Sequence, residues 1–233
     1  MEVQVWVVAT DPEPGDVPAS WWSLLDADET DEAARRKRPR DRARYVARHV
    51  VLRTVLGRQL GIDPAAVSFA RATCPLCAEL HGRPVLLGRD DVAFSLSSTD
   101  GLIAVAVAPV DVGVDVETVG RVAADDLASA LDSSERAAVD ALSEPDRSAA
   151  ALRCWVRKEA LLKGRGTGLG VDPDTVHVGI GPLAETPRAD GWMLADVPVQ
   201  PGVVAAVAYR PPVAKVEVLT LDLPALRHDA PGR

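Results

Sequence analysis

LRCWVRKEALLKGRGTGL, residues 152–169, holds the residues around which the chain is best read. Leu152, Trp155, Val156 and Leu162 fall close to helical spacing, so one stripe of this segment faces a core. Gly164, directly after Lys163, is where that helix is expected to stop. Glu159 stands on or beside the apolar stripe, four residues after Trp155 and three after Val156. A carboxylate in that position must be paired, protonated or bound to a metal, because an unpaired buried charge is too costly. Lys163, one turn on, shares its face, so an intrahelical Glu159–Lys163 ion pair at the edge of a core is one reading.

A second acidic group lies upstream. VDVGVDVETV, residues 110–119, alternates as a strand does. Val112, Val114 and Val116 point one way, and Asp111, Gly113, Asp115 and Glu117 the other, with Gly113 leaving room beside the two acids. An exposed acidic strand face is one reading. The other joins Asp115, Glu117 and Glu159 as three carboxylates without a histidine, a donor set suited to a hard, oxygen-preferring ion such as Mg²⁺.

The ordered pair G-V-D-V-E (113–117) and W-V-R-K-E-A-L-L-K (155–163), with Glu159 forty-four residues after Asp115, resembles the Sfp-type 4′-phosphopantetheinyl transferases. The resemblance implies an α+β fold of two similar halves in a pseudo-twofold arrangement, with the active site between them. The halves are expected at residues 1–110, carrying coenzyme A contacts, and 111–212, carrying metal and catalytic residues, before a final strand and polar tail at 213–233. It implies transfer of the 4′-phosphopantetheine arm of coenzyme A to a serine of an apo acyl- or peptidyl-carrier protein, releasing adenosine 3′,5′-bisphosphate. Mg²⁺, or Mn²⁺ in its place, is expected on Asp115, Glu117 and Glu159. Glu159 is the expected base and Lys163 the group that stabilises or protonates the leaving phosphate, while Lys158 either holds substrate phosphate or is simply exposed. Glu135, twenty residues after Asp115, matches an acidic position near the metal, although D-S-S-E at 132–135 also reads as a helix start.

Arg44, Arg83, Ser97 and Ser98 are the coenzyme A contacts that the resemblance implies. Arg83 lies in G-R-P at 82–84, a turn whose basic residue contacts coenzyme A in the family. S-L-S-S-T at 95–99 departs from the family's S-x-S-H-[ST]: Ser98 stands where a histidine helps hold the 3′-phosphate. Serine donates a hydrogen bond there and supplies no positive charge.

Elsewhere the chain reads as alternating elements. Val3–Val8 is an opening strand, 11–18 a turn-rich loop, and a short helix starts near Trp21. Thr30–Leu60 is helical to Gly61, with Pro39 marking a kink or restart. Ala93–Leu96 and Leu102–Val107 form a hairpin around residues 97–101. Val122–Leu142 is helical, and Thr175–Ile180, Gly191–Val197, Val203–Tyr209 and Val216–Leu221 read as strands. Arg165–Gly168 is glycine-rich but follows a helix rather than a strand, so it is no dinucleotide fingerprint. C-P-L-C-x-x-x-H at Cys74, Cys77 and His81 suggests zinc, yet no fourth ligand stands at a suitable spacing.

With 233 residues and 47% hydrophobic content the chain can bury a sizeable core. A net charge of −8 argues against nucleic-acid or anionic-membrane binding. Three cysteines make a poor disulfide framework, and the N-terminus lacks a basic, then apolar, signal pattern, so a cytoplasmic location is expected; a monomer with internal pseudo-symmetry is what the resemblance implies. Arg35, Arg36, Lys37, Arg38, Arg40, Arg42, Arg44 and Arg48 form a basic run that is either a solvated helix face or a patch for phosphate or an acidic partner. Two other classes of function stay open: a carrier-binding module without catalysis, and a metal-dependent phosphohydrolase acting on another nucleotide.

Overall fold

The computed structural model describes residues 1–10, 17–144, 146–181 and 191–222. Strand β1 (Glu2–Ala9) alternates apolar and polar residues and buries Val3, Val5 and Val8. Its antiparallel partner β5 (Leu102–Ala108, LIAVAVA) is buried at every position, as a central strand covered on both faces must be. The tight turn Asp100–Gly101, with Gly101 at φ 79°, joins β5 to β4 (Ala93–Thr99). The expected loop over 97–101 is therefore shorter: Ser97, Ser98 and Thr99 are paired strand residues.

Between β1 and β4 lie three helices and a small hairpin. Helix α1 (Ala19–Trp22) buries Trp21. Helix α2 (Ala27–Arg35) opens on a reciprocal cap between Asp26 and Glu29, and α3 (Pro39–Leu60) follows it. Pro39 occupies the first helical position of α3, where its missing N–H costs nothing, while Arg38 before it is extended. The long helical pattern is thus two helices with a restart at Pro39. Strands β2 (Phe69–Arg71) and β3 (Pro84–Leu86) form a two-stranded hairpin absent from the sequence reading.

The second half runs β6 (Val112–Thr118), α4 (Ala124–Ala130), α5 (Ser133–Asp140), α6 (Asp146–Arg165), β7 (Met193–Asp196) and β8 (Val203–Tyr209). Leu131–Asp132 breaks the expected helix over 122–142 into α4 and α5, because Asp132 caps α5. Thr175–Ile180 is not a strand: the N–H groups of Val178 and Gly179 donate to the Glu135 carboxylate rather than to a ladder. Strand β9 (Lys215–Thr220) pairs parallel with β1, returning to the first sheet. The polar tail beyond 222 and residues 11–16 of the expected loop lie outside the described residues.

Strand order in the first sheet is β4-β5-β1-β9 and in the second β6-β8-β7. Read as β4-β5-β1 and β7-β8-β6, the two follow one topology: strand, long helix, then an antiparallel pair whose second member docks on the first strand. The fold is mixed α+β. Side-chain alternation sorts the interior into three layers. Ile103, Val105 and Val107 pack on α3; Ala206 and Ala208 pack with α6; Val112, Val114 and Val116 meet Val3, Val5, Ala104 and Ala106 between the sheets. Each fully buried valine there contributes about 1.5–3 kcal/mol.

Candidate active site

Strand β6 and helix α6 bring the two acidic motifs together. The Gly113 side of β6 lies directly on α6: a Cβ at Gly113 would fall 2.0 Å from the Ala160 carbonyl oxygen and 2.3 Å from the Gly164 nitrogen. The room expected at Gly113 is therefore taken up by the helix backbone, which approaches close enough to set Asp115 beside α6. Asp115 is 2% exposed, so neither it nor this part of β6 belongs to an open acidic face.

Lys163 reaches across from α6 and donates to Asp115 Oδ1 at 2.5 Å and to Ser97 Oγ at 3.0 Å, while Ser97 Oγ donates to the same Asp115 oxygen at 2.8 Å. Lys163 thus pairs with Asp115 across the chain rather than within its own helix. Asp115 Oδ2 and Glu159 Oε1 are buried without a hydrogen-bond partner. Burial, then the Asp115 charge, pushes the Glu117 carboxyl up to about 7 and raises that of Glu159, with Lys163 opposing in both. Crowded carboxylates with orphaned oxygens and one lysine as counter-charge are a donor set that a hard divalent cation fits. Among the described residues, the groups whose ligand atoms all lie within 4.8 Å of one another are Cys74–Cys77–His81 and Asp132–Glu135–His177, so the three carboxylates are neighbours rather than a closed cage.

Strand β4 supplies the other wall. Its odd-numbered side chains bridge to β6: Ser95 Oγ accepts from Val114 N–H at 3.0 Å, Ser97 Oγ donates to Asp115 Oδ1 at 2.8 Å, and Thr99 Oγ1 accepts from Thr118 N–H at 3.1 Å. Hydroxyls here replace backbone ladder bonds between the halves. Ser98 has the opposite parity and is exposed. Beside it, Asp100 forms ion pairs with Arg44, at 2.5 Å, and with Arg121. Arg83 donates to the Gly164 carbonyl at 2.6 Å and pairs with Asp111, tying the β2–β3 hairpin to the end of α6. A cleft of about 1040 Å³ is lined by Arg48, Arg83, Ser95, Lys163 and the Gly166–Gly168 loop among others.

Two expected residues sit elsewhere. Lys158 is fully buried, donating to the carbonyls of Ala130 at 2.7 Å and Pro173 at 2.9 Å, and its ammonium pairs with Glu135 at 2.5 Å. It is neither exposed nor free to hold a substrate phosphate. Glu135 completes the α5 capping box and accepts from Val178 and Gly179, so its partners include none of the three carboxylates. The sequence reading missed Ser95, Thr99, Asp100 and Asp111. Period-two placement on β4 is the one signal that marks the first two.

Residues 111–186 match the sequence profile of the 4′-phosphopantetheinyl transferase superfamily. The chain is 28% identical over 217 residues to 4′-phosphopantetheinyl transferase HetI of Nostoc sp., covering 89% of this chain and 87% of that protein. It is 23% identical over 156 residues to a 4′-phosphopantetheinyl transferase of Bacillus subtilis, covering 67% and 66% of the two.

Proposed function

We propose, from the match of residues 111–186 to the 4′-phosphopantetheinyl transferase superfamily and the similarity to two 4′-phosphopantetheinyl transferases, that the chain is an enzyme of that class and moves the phosphopantetheine arm of coenzyme A onto a serine of an apo acyl- or peptidyl-carrier protein. The observation that carries this reading is Lys163, held between Asp115 and Ser97 where the halves meet, beside the orphaned oxygens of Asp115 and Glu159.

The carrier serine oxygen attacks the phosphorus that bears the pantetheine arm. A new phosphoester forms, the pyrophosphate P–O bond breaks, and adenosine 3′,5′-bisphosphate departs. Glu159 takes the serine proton. In the absence of the cation, burial and then the Asp115 charge raise its carboxyl above the ordinary range, with Lys163 opposing. Lys163 meets the charge developing on the leaving phosphate, at the margin of the cleft that it lines. Asp115, Glu117 and Glu159 would hold Mg²⁺ or Mn²⁺, which when bound supplies Lewis-acid neutralisation of the pyrophosphate. Lys158 and Glu135 act from the interior, fixing α6 against α5 and so the direction of Glu159.

Arg44 and Arg83, with Ser97 and Ser98, are the groups this reading assigns to coenzyme A. The two arginines are half-buried cations ordered by Asp100 and Asp111, and phosphates of the nucleotide would compete for them. The matching strand order of the two sheets supports a pseudo-twofold relation between the halves, with the site at their junction. The reading extends to a cytoplasmic monomer serving fatty-acid, polyketide or non-ribosomal peptide carriers.

The test is intact-mass analysis of a panel of apo-carriers incubated with the chain, coenzyme A and Mg²⁺. A phosphopantetheine adduct on the acceptor serine is expected. Consumption of coenzyme A at the same rate with and without carrier would instead identify a phosphohydrolase.

A further inference from the structure

The tip of the β2–β3 hairpin carries Cys74, Cys77 and His81, none of which has a part in the transfer described above. Their two sulfurs and one ring nitrogen all lie within 4.8 Å of one another, and Cys77 Sγ is 2.9 Å from His81 Nε2. Zinc bonds of about 2.3 Å to sulfur and 2.0–2.1 Å to nitrogen put neighbouring ligand atoms of a tetrahedron roughly 3.5–3.8 Å apart. The three groups therefore stand within about an ångström of coordinating positions.

The backbone around them is shaped for the task. Cys74 N–H donates to the Glu79 carbonyl at 2.7 Å and Ala78 N–H to the Cys74 carbonyl at 2.9 Å, which folds residues 74–79 into a closed turn. Ala78 is held at φ 62°, a region uncommon for a residue with a Cβ and dictated here by the turn around it. At the base, Gly82 N–H donates to Ala72 at 2.9 Å and Ala72 N–H to Arg83 at 3.0 Å, continuing the hairpin ladder. A Cβ at Gly82 would meet the Ala72 oxygen at 2.7 Å, so the two arms can close only with glycine at that position.

Thiolate is the form that binds metal. All three cysteines of the chain are free thiols, so C-P-L-C is also open to disulfide formation. What favours a metal is the third ligand: an imidazole nitrogen directed at the exposed sulfur of the pair completes a donor set that an isolated dithiol does not need.

We propose that Cys74, Cys77 and His81 form a three-ligand site for a divalent ion of the zinc class, its fourth position open to solvent on the side of the cleft that Cys74 and His81 line. Binding displaces the protons of both thiols and takes His81 as the neutral imidazole. His81 precedes Arg83 by two residues, and Arg83 is the residue that bonds the end of α6. The ion is thus a clip that stiffens the hairpin tip and holds Arg83 at the mouth of the cleft.

The test uses the full chain, reduced, stripped with a chelator and titrated with Zn²⁺ against a chromophoric competitor, and separately with Co²⁺. One ion per chain is expected, with thiolate-to-cobalt charge-transfer absorption, a signature that binding by carboxylates does not produce. Cys77→Ser and His81→Ala, both at exposed positions, weaken binding at least about tenfold without changing the far-ultraviolet circular dichroism. Hydrogen exchange at residues 74–82 slows on zinc addition in the wild type alone. Failure of the reduced chain to bind stoichiometrically, or equal binding by both variants, overturns the proposal. A Cys74–Cys77 disulfide that re-forms in the presence of zinc overturns it too, in favour of a redox pair. These readouts need neither coenzyme A nor carrier, so their failure and that of the transferase reading are separately visible.

Discussion

Glu159 and Asp115 each bury an oxygen without a hydrogen-bond partner, an arrangement that costs stability unless the site uses it. Asp115→Ala and Glu159→Ala are therefore expected to reduce transfer by about 10²-fold or more, the span that acid–base groups supply. The Glu159→Ala midpoint should stay at or above that of the wild type, since a buried, unmatched charge is removed, whereas Asp115→Ala also takes away the partner of Lys163 and Ser97. Excess EDTA should arrest the reaction, and full activity in its presence would remove the cation from the site. At Ser98 the consequence is confined to binding. This exposed side chain lies next to Ser97 and two residues from Asp100, where Arg44 is held. Ser98→His should lower the KM for coenzyme A with kcat little changed, because the added contact touches no reacting atom. A selective fall in kcat would place Ser98 elsewhere in the reaction.

Helix α6 carries two lysines with opposite fates. Lys158 and Lys163 are five residues apart, about 140° around the helix, so they cannot share a face. Lys158 faces α5 and the buried Glu135, whereas Lys163 faces β4, β6 and the cleft. Removing one partner of a buried pair leaves the other charged and unmatched, at a cost of about 3–5 kcal/mol. Lys158→Ala should accordingly lower the denaturation midpoint sharply, and its loss of activity should follow its loss of folded protein. Lys163→Ala should lower the midpoint less, since Lys163 is partly exposed and Ser97 still donates to Asp115, and should lower kcat in fully folded protein. Equal midpoints for the two variants would contradict the division of roles.

At the scale of the molecule, charge is unevenly spread. The chain carries −8 overall, yet a basic run crosses the α2–α3 junction. Part of that run is structural: Arg42 donates to the Arg36 carbonyl, Arg35 and Arg36 pair with Glu32, and Arg36 and Arg48 flank the Tyr45 ring. Lys37 and Arg38 are exposed at the junction itself, and they are the residues to reverse. Exposed charges act mainly on encounter rate and are screened over about 8–10 Å. Lys37→Glu with Arg38→Glu should lower kcat/KM for an acidic carrier and flatten its salt dependence while the KM for coenzyme A holds. Unchanged carrier kinetics at low salt would leave the run a solvated face.

A second global property is pH dependence. His49 of α3 is held down to about 4 by burial, its Nδ1 lying 2.8 Å from the Tyr45 carbonyl oxygen. The unfolded chain then binds the proton more readily than the folded one, so stability falls as pH drops from about 6.5 to about 4. Over the same window the Glu117 carboxyl, pushed up to about 7, works the other way, so the His49 contribution is the difference in urea-midpoint slope between the wild type and His49→Gln, and equal slopes would remove it.

The two acidic motifs, their order and their forty-four-residue separation are local features of the chain, and they alone pointed to the reaction class. Alternation in β6 and helical spacing in α6 were legible for the same reason: side-chain period follows backbone geometry and needs no partner to be read. Partners were another matter. That Ser95, Ser97 and Thr99 bridge from β4 to β6 depends on contacts eighteen or nineteen residues apart. That Lys158 is interior and Lys163 open depends on which side of α6 receives α5 and which receives β6. Three ligands at one hairpin tip became a cluster only once Ala78 turned the chain back on itself. Sequence sets which surface each element must bury; only packing decides against what, because burial is satisfied by any apolar partner while hydrogen bonds and ion pairs require a particular one.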